Sequence, residues 1–259
     1  MAPKLQTVDR TIEIVRYMSR KGEVTATEIS EEFELPTSTA SDYLTTLREN
    51  ELIIKDGRSY RLTCRFLELG SKTRWNLDLF RTARPEIDAL AEDINERVYL
   101  MKEENRRGVT LYTARGDPRV KVSAYDGLHT PLHTTAGGKA ILAHLSKDRL
   151  REIYPDRDLC AINEHTITAW DGLLDELESI RESGVAYERE ERVDGISSIA
   201  APIMARDDVL GSVACFGPTS RIEQPEPEDG SGTGFGNRMR EVANIIEVNL
   251  RTTQSAQPA

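Results

Sequence analysis

The stretch from Thr25 to Leu62 constrains the fold more than any other part of the chain. It opens with Thr25-Ala26-Thr27-Glu28, a Thr-x-x-Glu capping box in which hydroxyl and carboxylate each satisfy an orphan backbone N–H. Ile29 and Phe33 follow four residues apart on one helical face, and Leu35-Pro36 stops that helix. Thr37 or Ser38 then caps a second helix, in which Ala40, Tyr43, Leu44 and Leu47 recur at three- and four-residue spacing. The opposite face is small and polar, with Ser38, Ser41, Asp42 and Thr45, and Thr37 and Thr39 join them as candidate DNA contacts. Beyond it, Leu52 to Lys55 predicts a short strand, Asp56-Gly57-Arg58-Ser59 a turn, and Tyr60-Arg61-Leu62 the returning strand. Helix, tight turn, helix and hairpin form the pattern of a winged helix-turn-helix, whose second helix enters the major groove of duplex DNA. On the wing, Lys55, Arg58 and Arg61 are placed to touch phosphates, contacts that position a protein without reading sequence.

Charge complicates this reading. The 259-residue chain carries a net charge of -10, and its first 70 residues hold 10 Lys+Arg against 12 Asp+Glu. Phosphate binding relies on basic side chains releasing counterions. Two explanations stand together: a local basic wing on an acidic body, and an acidic surface suited to a cytosol in which salt already screens charge. The length accommodates two domains. Cys64, Cys160 and Cys215 lie far apart in no metal-binding spacing and read as reduced, buried thiols. No apolar run is long enough for a membrane span and the N-terminus has no signal core, so a cytoplasmic protein is expected.

Around the head, Leu5 to Arg20 predicts a first helix with Val8, Ile12, Val15 and either Ile14 or Met18 as its apolar stripe, and Thr7 as its cap. Arg65 to Glu96 is again helical, interrupted at Gly70 and at Pro85, which is alternatively the N1 residue of the second helix, giving a linker helix whose exposed Trp75 suits a partner subunit. Strands are predicted at 97–102, 108–113, 120–124, 185–190, 198–204 and 210–216, with helices at 138–143, 147–154 and 171–183. Hairpins with intervening helices define an α+β domain. Residues 224–236 read as a mobile loop, 237–250 as a closing amphipathic helix, and the end of the chain as disordered. The resulting division is a winged helix-turn-helix over 1–64, a linker helix over 65–78, a sheet domain over 79–252 and a tail over 253–259.

Three segments carry a resemblance. Leu5 to Arg10, Leu132-His133-Thr134-Thr135-Ala136-Gly137-Gly138-Lys139-Ala140-Ile141-Leu142-Ala143, and Ser183 through Glu191 and Gly195 to Ile203, followed by Gly217 to Ile222, resemble the IclR family of transcription regulators. The resemblance spans nearly the whole chain in order. It implies a GAF-like effector domain behind the winged head, assembly as homodimers or dimers of dimers, an operator in double-stranded DNA, and no cofactor. It further implies a small-molecule effector, an organic acid or a sugar- or aromatic-derived catabolite. Carried position by position, the effector contacts become Ala136 and Gly137 in the loop before the Gly-Lys-Ala helix, and Glu188, Ile196, Ser198, Ala214 and Phe216 on strands. Backbone N–H groups around Gly137 and Gly138, at a helix N-terminus, would cradle a carboxylate. Ala214 and Phe216 replace hydroxyls of relatives that bind the smallest keto acids, which suits a larger or less polar ligand equally. Asp42 replaces an arginine usual in relatives; it either accepts from a cytosine amino group or faces away.

Other functions fit less well. Gly137-Gly138-Lys139 lacks the hydroxyl that a phosphate loop needs at Ala140. His129, His133, His144 and His165 show no ligand spacing. Glu188, Glu190 and Glu191 alternate as a solvated strand face would. These features argue against an enzyme. The acidic head leaves one alternative, a winged-helix module that binds protein or a metabolite without specific DNA contact.

Overall fold

The computed structural model describes residues 5–114, 124–224 and 234–255, with side chains through 252. The chain divides into two compact units, Met1–Thr73 and Arg74–Ala259.

The first unit contains α1 (Gln6–Lys21), β1 (Glu23–Thr25), α2 (Ala26–Glu32), α3 (Thr37–Glu49), β2 (Ile53–Asp56) and β3 (Ser59–Leu62). The capping box forms as its sequence predicts: Glu28 N–H donates to Thr25 Oγ1 at 3.2 Å, and Thr25 N–H donates to Glu28 Oε2 at 2.6 Å. That backbone N–H, with the Thr25 hydroxyl, holds the Glu28 carboxyl below its ordinary range. Neither Thr37 nor Ser38 caps α3. Pro36 occupies the N-cap and Thr37 is already helical, because proline's fixed φ suits the chain entering a helix. Gly57, at φ 57°, makes the tight turn between β2 and β3 that a side chain would strain. The sheet order is β1-β3-β2, so the wing has a third strand the sequence did not reveal.

Burial in α1 departs from the expected stripe. Ile14, Tyr17 and Met18 are buried, while Val8 and Ile12 are 53% and 45% exposed. Two overlapping rows run along this helix, and the one ending in Tyr17, which packs edge-on against Phe33, faces the core. Thr7 makes no cap; the N-cap is Leu5, without a side-chain hydrogen bond. Ile14, Met18, Ile29, Ala40, Leu44, Leu47 and Ile53 close the core of the unit.

α4 (Arg65–Trp75) runs unbroken through Gly70, and α5 (Asp78–Ile94) runs through Pro85. The break expected at those residues falls instead at 76–77. Pro85 is exposed, where water can satisfy the carbonyl its ring leaves without a donor. None of the α4 side chains is buried.

The second unit is built on a six-stranded sheet. β4 (Arg97–Glu104), β5 (Arg107–Ala114), β6 (His129–Thr130), β7 (Ala186–Arg189), β8 (Ile196–Ala205) and β9 (Asp208–Pro218) lie in the order β6-β5-β4-β9-β8-β7, every neighbouring pair antiparallel. Alternation divides their side chains between two cores. Val98, Leu100, Ile199, Ala201, Val213 and Cys215 pack with α5 and with α10 (Phe235–Ser255). Tyr99, Met101, Ala200, Ala214 and Phe216 face the other way, toward α6 (Ala136–His144), α7 (Lys147–Ile153) and α8 (Trp170–Ser183). A short α9 (Thr219–Ile222) follows β9.

α10 extends to Ser255, so residues 253–255, expected in the disordered tail, are helical. Its heptad-like apolar positions Met239, Val242, Ile246 and Leu250 anchor the preceding turns. The strand expected at 120–124 lies outside the described residues except for Ala124, which is in no strand. Most of the loop expected at 224–236 also lies outside them. Cys215 is buried, but Cys64 and Cys160 are exposed, contrary to the buried-thiol expectation. Among the described residues no helix is long and apolar enough to cross a membrane.

Candidate functional site

On the first unit, α3 turns Ala40, Leu44 and Leu47 inward. Ser38, Asp42 and Thr45 stand exposed on the far side, with Thr39 and Ser41 half-buried at its margin. Among the described residues none of these five side chains has a hydrogen-bond partner, so their polar groups remain available. Thr37 is exposed as well, its Oγ1 3.4 Å from Ser30 Oγ. The wing basics are exposed but do not share a face. Lys55 pairs across the hairpin with Tyr60, its Nζ 5.4 Å from the ring centroid, whereas Arg61 pairs with Ile54 on the opposite face and Arg58 sits in the turn.

A cavity of about 340 Å³ lies in the second unit, on the sheet face that carries Tyr99 and Met101. Register explains its composition. Glu188 pairs with Ser198 and Ser198 with Phe216, so the three stand side by side across β7, β8 and β9. Ile196 lies two residues before Ser198 on the same face, and Thr110 of β5, Thr130 of β6, Thr135 and the loop residue Arg192 complete the polar lining. Four of the expected contacts, Glu188, Ile196, Ser198 and Phe216, therefore line one cavity.

Ala136, Gly137 and Ala214 do not. Ala136 and Ala214 are fully buried in the core beneath α6. At Gly137 the space is filled: a methyl group there would meet Ser212 Oγ at 2.9 Å and the Tyr99 ring at 3.1 Å. Nor are the two amides free for a carboxylate. Gly137 N–H donates to Tyr99 Oη at 3.3 Å, and Gly138 N–H donates to Thr135 Oγ1, the N-cap of α6, at 2.9 Å. The predicted cradle is thus occupied by the protein's own acceptors. Tyr99 and Met101 were legible in principle, since alternation along β4 places both on one face; Arg192, in a loop, had no periodic signal.

The acidic cluster on β7 and the loop after it is not a solvated face. Glu188 and Glu191 are only 4% and 5% exposed. Lys139, which is as deeply buried, donates to Glu191 Oε1 at 2.7 Å and to Glu176 Oε1 at 3.2 Å. A buried ammonium requires such partners. Glu188 has fewer. Its Oε2 accepts from Ser198 Oγ at 2.8 Å, while Oε1 is buried without a hydrogen-bond partner. Burial pushes the Glu188 carboxyl up to about 7, and nearby Glu191 adds to the rise; the Ser198 hydroxyl, the Glu191 amide dipole and Lys139 offset part of it. Burial also raises the Tyr99 phenol well above its ordinary value. Among the described residues no three of His, Cys, Asp or Glu gather as a metal site. His133 is engaged instead with Tyr154 Oη and the Cys160 carbonyl.

A winged reading head on one unit and, on the other, a cavity lined by Glu188, Ser198 and Arg192 define the class of a DNA-binding regulator. Comparison with known proteins gives the family. Residues 7–57 match the IclR helix-turn-helix domain and residues 72–243 the bacterial transcriptional regulator IclR C-terminal model. A probable HTH-type transcriptional regulator ArcR of Halobacterium salinarum is 31% identical over 96% of this chain and 95% of its own. The chain belongs to the IclR family and is a transcription regulator, not an enzyme. Among solved structures, the Thermotoga maritima IclR shares the fold at TM-score 0.78 and 24% identity, covering 95% of this chain and 99% of its own. An IclR homologue from Microbacterium hydrocarbonoxydans, solved in complex with 4-hydroxybenzoate, does so at TM-score 0.79 and 21% identity, covering 95% and 99%.

Proposed function

We propose that this regulator binds its operator as a homodimer or dimer of dimers, and that a small catabolite in the cavity modulates that binding. Two copies of α3 would meet successive major grooves of a partly palindromic site. Ser38, Ser41 and Thr45 would reach base edges, with Thr37, Thr39 and Asp42 beside them, while Lys55, Arg58 and Arg61 contact the backbone. The exposed Leu67, Leu69 and Trp75 of α4 suit a second copy of the chain.

One observation carries the effector reading: a buried carboxyl with an unpaired oxygen, Glu188, and a cation, Arg192, line the same cavity. Leaving a polar atom buried and unpaired costs stability that a ligand would recover. The 4-hydroxybenzoate found in the Microbacterium homologue supports an organic acid or aromatic catabolite as the class. The ligand can shift operator binding only by its differential affinity for the two states of the protein. Sequencing the DNA that the protein occupies in cells, followed by mobility shifts on those sites at several salt concentrations, tests the reading. A specific palindromic site beside catabolic genes is expected; no specific complex at any salt would overturn it.

A further inference from the structure

Helix geometry decides where Asp42 points, on the reading that α3 enters the major groove. Ala40, Leu44 and Leu47, the buried residues of α3, define one direction around the helix axis. At 3.6 residues per turn, Asp42 lies within about 15° of the opposite direction, with Ser38 and Thr45 about 30° and 50° from it. All three are exposed. Asp42 thus stands at the crest of the helix and is the side chain aimed most directly at the floor of the groove. Among the described residues its carboxylate makes no ion pair and no hydrogen bond. Its neighbours one turn away, Ser38, Thr39, Thr45 and Thr46, are uncharged, and the Thr46 hydroxyl donates to the Asp42 backbone carbonyl at 2.9 Å.

Water satisfies that carboxylate in the free protein. In the groove, base edges replace the water, and an ionised carboxyl only accepts hydrogen bonds. Guanine presents N7 and O6, thymine O4 and a methyl group, none of which donates. Adenine presents its N6 amino group between two acceptors, its own N7 and the O4 of the paired thymine, so an anion is repelled from either side. The N4 amino group of cytosine has an acceptor on one side alone, the guanine O6, and the C5–H edge on the other. Cytosine is therefore the one base that offers Asp42 a donor with an open approach. Rejection of the other three contributes as much as acceptance of the fourth, because each of them leaves a desolvated charge without a donor.

We infer that Asp42 is a specificity-determining residue of the head, selecting a C·G pair at one position of each operator half-site through the cytosine N4 amino group. The test is selection from a randomised duplex pool, at low and high salt, by the full chain and by its Asp42→Ala and Asp42→Asn variants. The unsubstituted chain should enrich sites with a fixed C·G pair in each half. Asp42→Ala should lose the preference at that pair and keep it at the others. Asp42→Asn should move it to A·T, since an amide accepts from N6 while donating to N7. Anisotropy on the selected duplex gives the size of the effect: replacing C·G by T·A there should weaken the unsubstituted chain roughly tenfold or more, and Asp42→Ala less than about twofold. Asp42→Ala should also bind unrelated duplex more tightly, because it removes an anion from a polyanionic surface; a merely structural role for Asp42 would give no such gain. A selected site whose preferences all survive Asp42→Ala, or a pair other than C·G at the position the substitution relaxes, would overturn the assignment and leave the proposed function standing. Enrichment of no sequence at any salt would overturn the proposed function, and the assignment with it.

Discussion

The polar face of α3 and the cavity of the second unit both present unpaired polar groups, under opposite physical conditions. On α3 the side chains of Ser38, Asp42 and Thr45 stand in water, which satisfies them until DNA arrives. In the cavity Glu188 is only 4% exposed, and its Oε1 has no hydrogen-bond partner within the protein. Substitutions on α3 should therefore change recognition while leaving stability alone. Substitutions around the cavity should change both together, because the same burial that makes a carboxyl selective also raises its free energy.

The largest effect expected from this contrast is at Lys139. Lys139→Met leaves Glu191 buried beside no cation and should cost roughly 3–5 kcal/mol in urea unfolding. Both tryptophans, Trp75 and Trp170, lie in the second unit, so their fluorescence reports on it. A loss below about 1 kcal/mol would show that water reaches the pair.

Next comes the pH dependence of Glu188. Its carboxyl is raised from 4.5 to about 7 in the folded chain, so the native state retains a proton that the unfolded state releases. The stability from this proton is complete below pH 4.5 and declines as pH rises through 7, leaving a deficit of roughly 3 kcal/mol above it. Glu188→Gln should flatten the stability profile between those limits relative to the unsubstituted chain. An unchanged slope would show that Glu188 does not carry this pH dependence.

Effects on the head are smaller. Ser41→Ala should lose roughly 1 kcal/mol or more on the true operator and nothing on unrelated DNA. Arg58→Ala should weaken all sequences about equally and reduce the salt slope by about one. Neither should move unfolding by more than about 0.5 kcal/mol. Uniform loss from both variants, measured by anisotropy on matched and scrambled duplexes, would refute the division between reading and positioning.

The head was legible because its signals are local. The Thr25–Glu28 box, Pro36, the 3-4 spacing of Ala40, Leu44 and Leu47, and Gly57 each act within a few residues. What was missed there, β1, is three residues long and acquires meaning only by pairing with β3. Burial along α1 was misjudged for a related reason: two apolar rows were available, and only the position of Phe33 decides between them. The cavity was half legible. Glu188, Ile196, Ser198 and Phe216 fall on one face through strand alternation and cross-strand register. Arg192 and the occupancy of the α6 amides depend on loop geometry and on Tyr99 arriving from a strand 38 residues earlier. Buried charge was the clearest misreading, since Glu188 and Glu191 look like surface carboxylates until Lys139 and Ser198 are brought to them.

The most direct test of the whole account is reciprocal. Operator affinity should be measured by anisotropy with and without a saturating acid identified by calorimetry, and acid affinity with and without operator. Coupling through one protein requires the two ratios to be equal, with a common factor of about tenfold or more expected. Operator affinity unchanged by a cavity filled to saturation would contradict it.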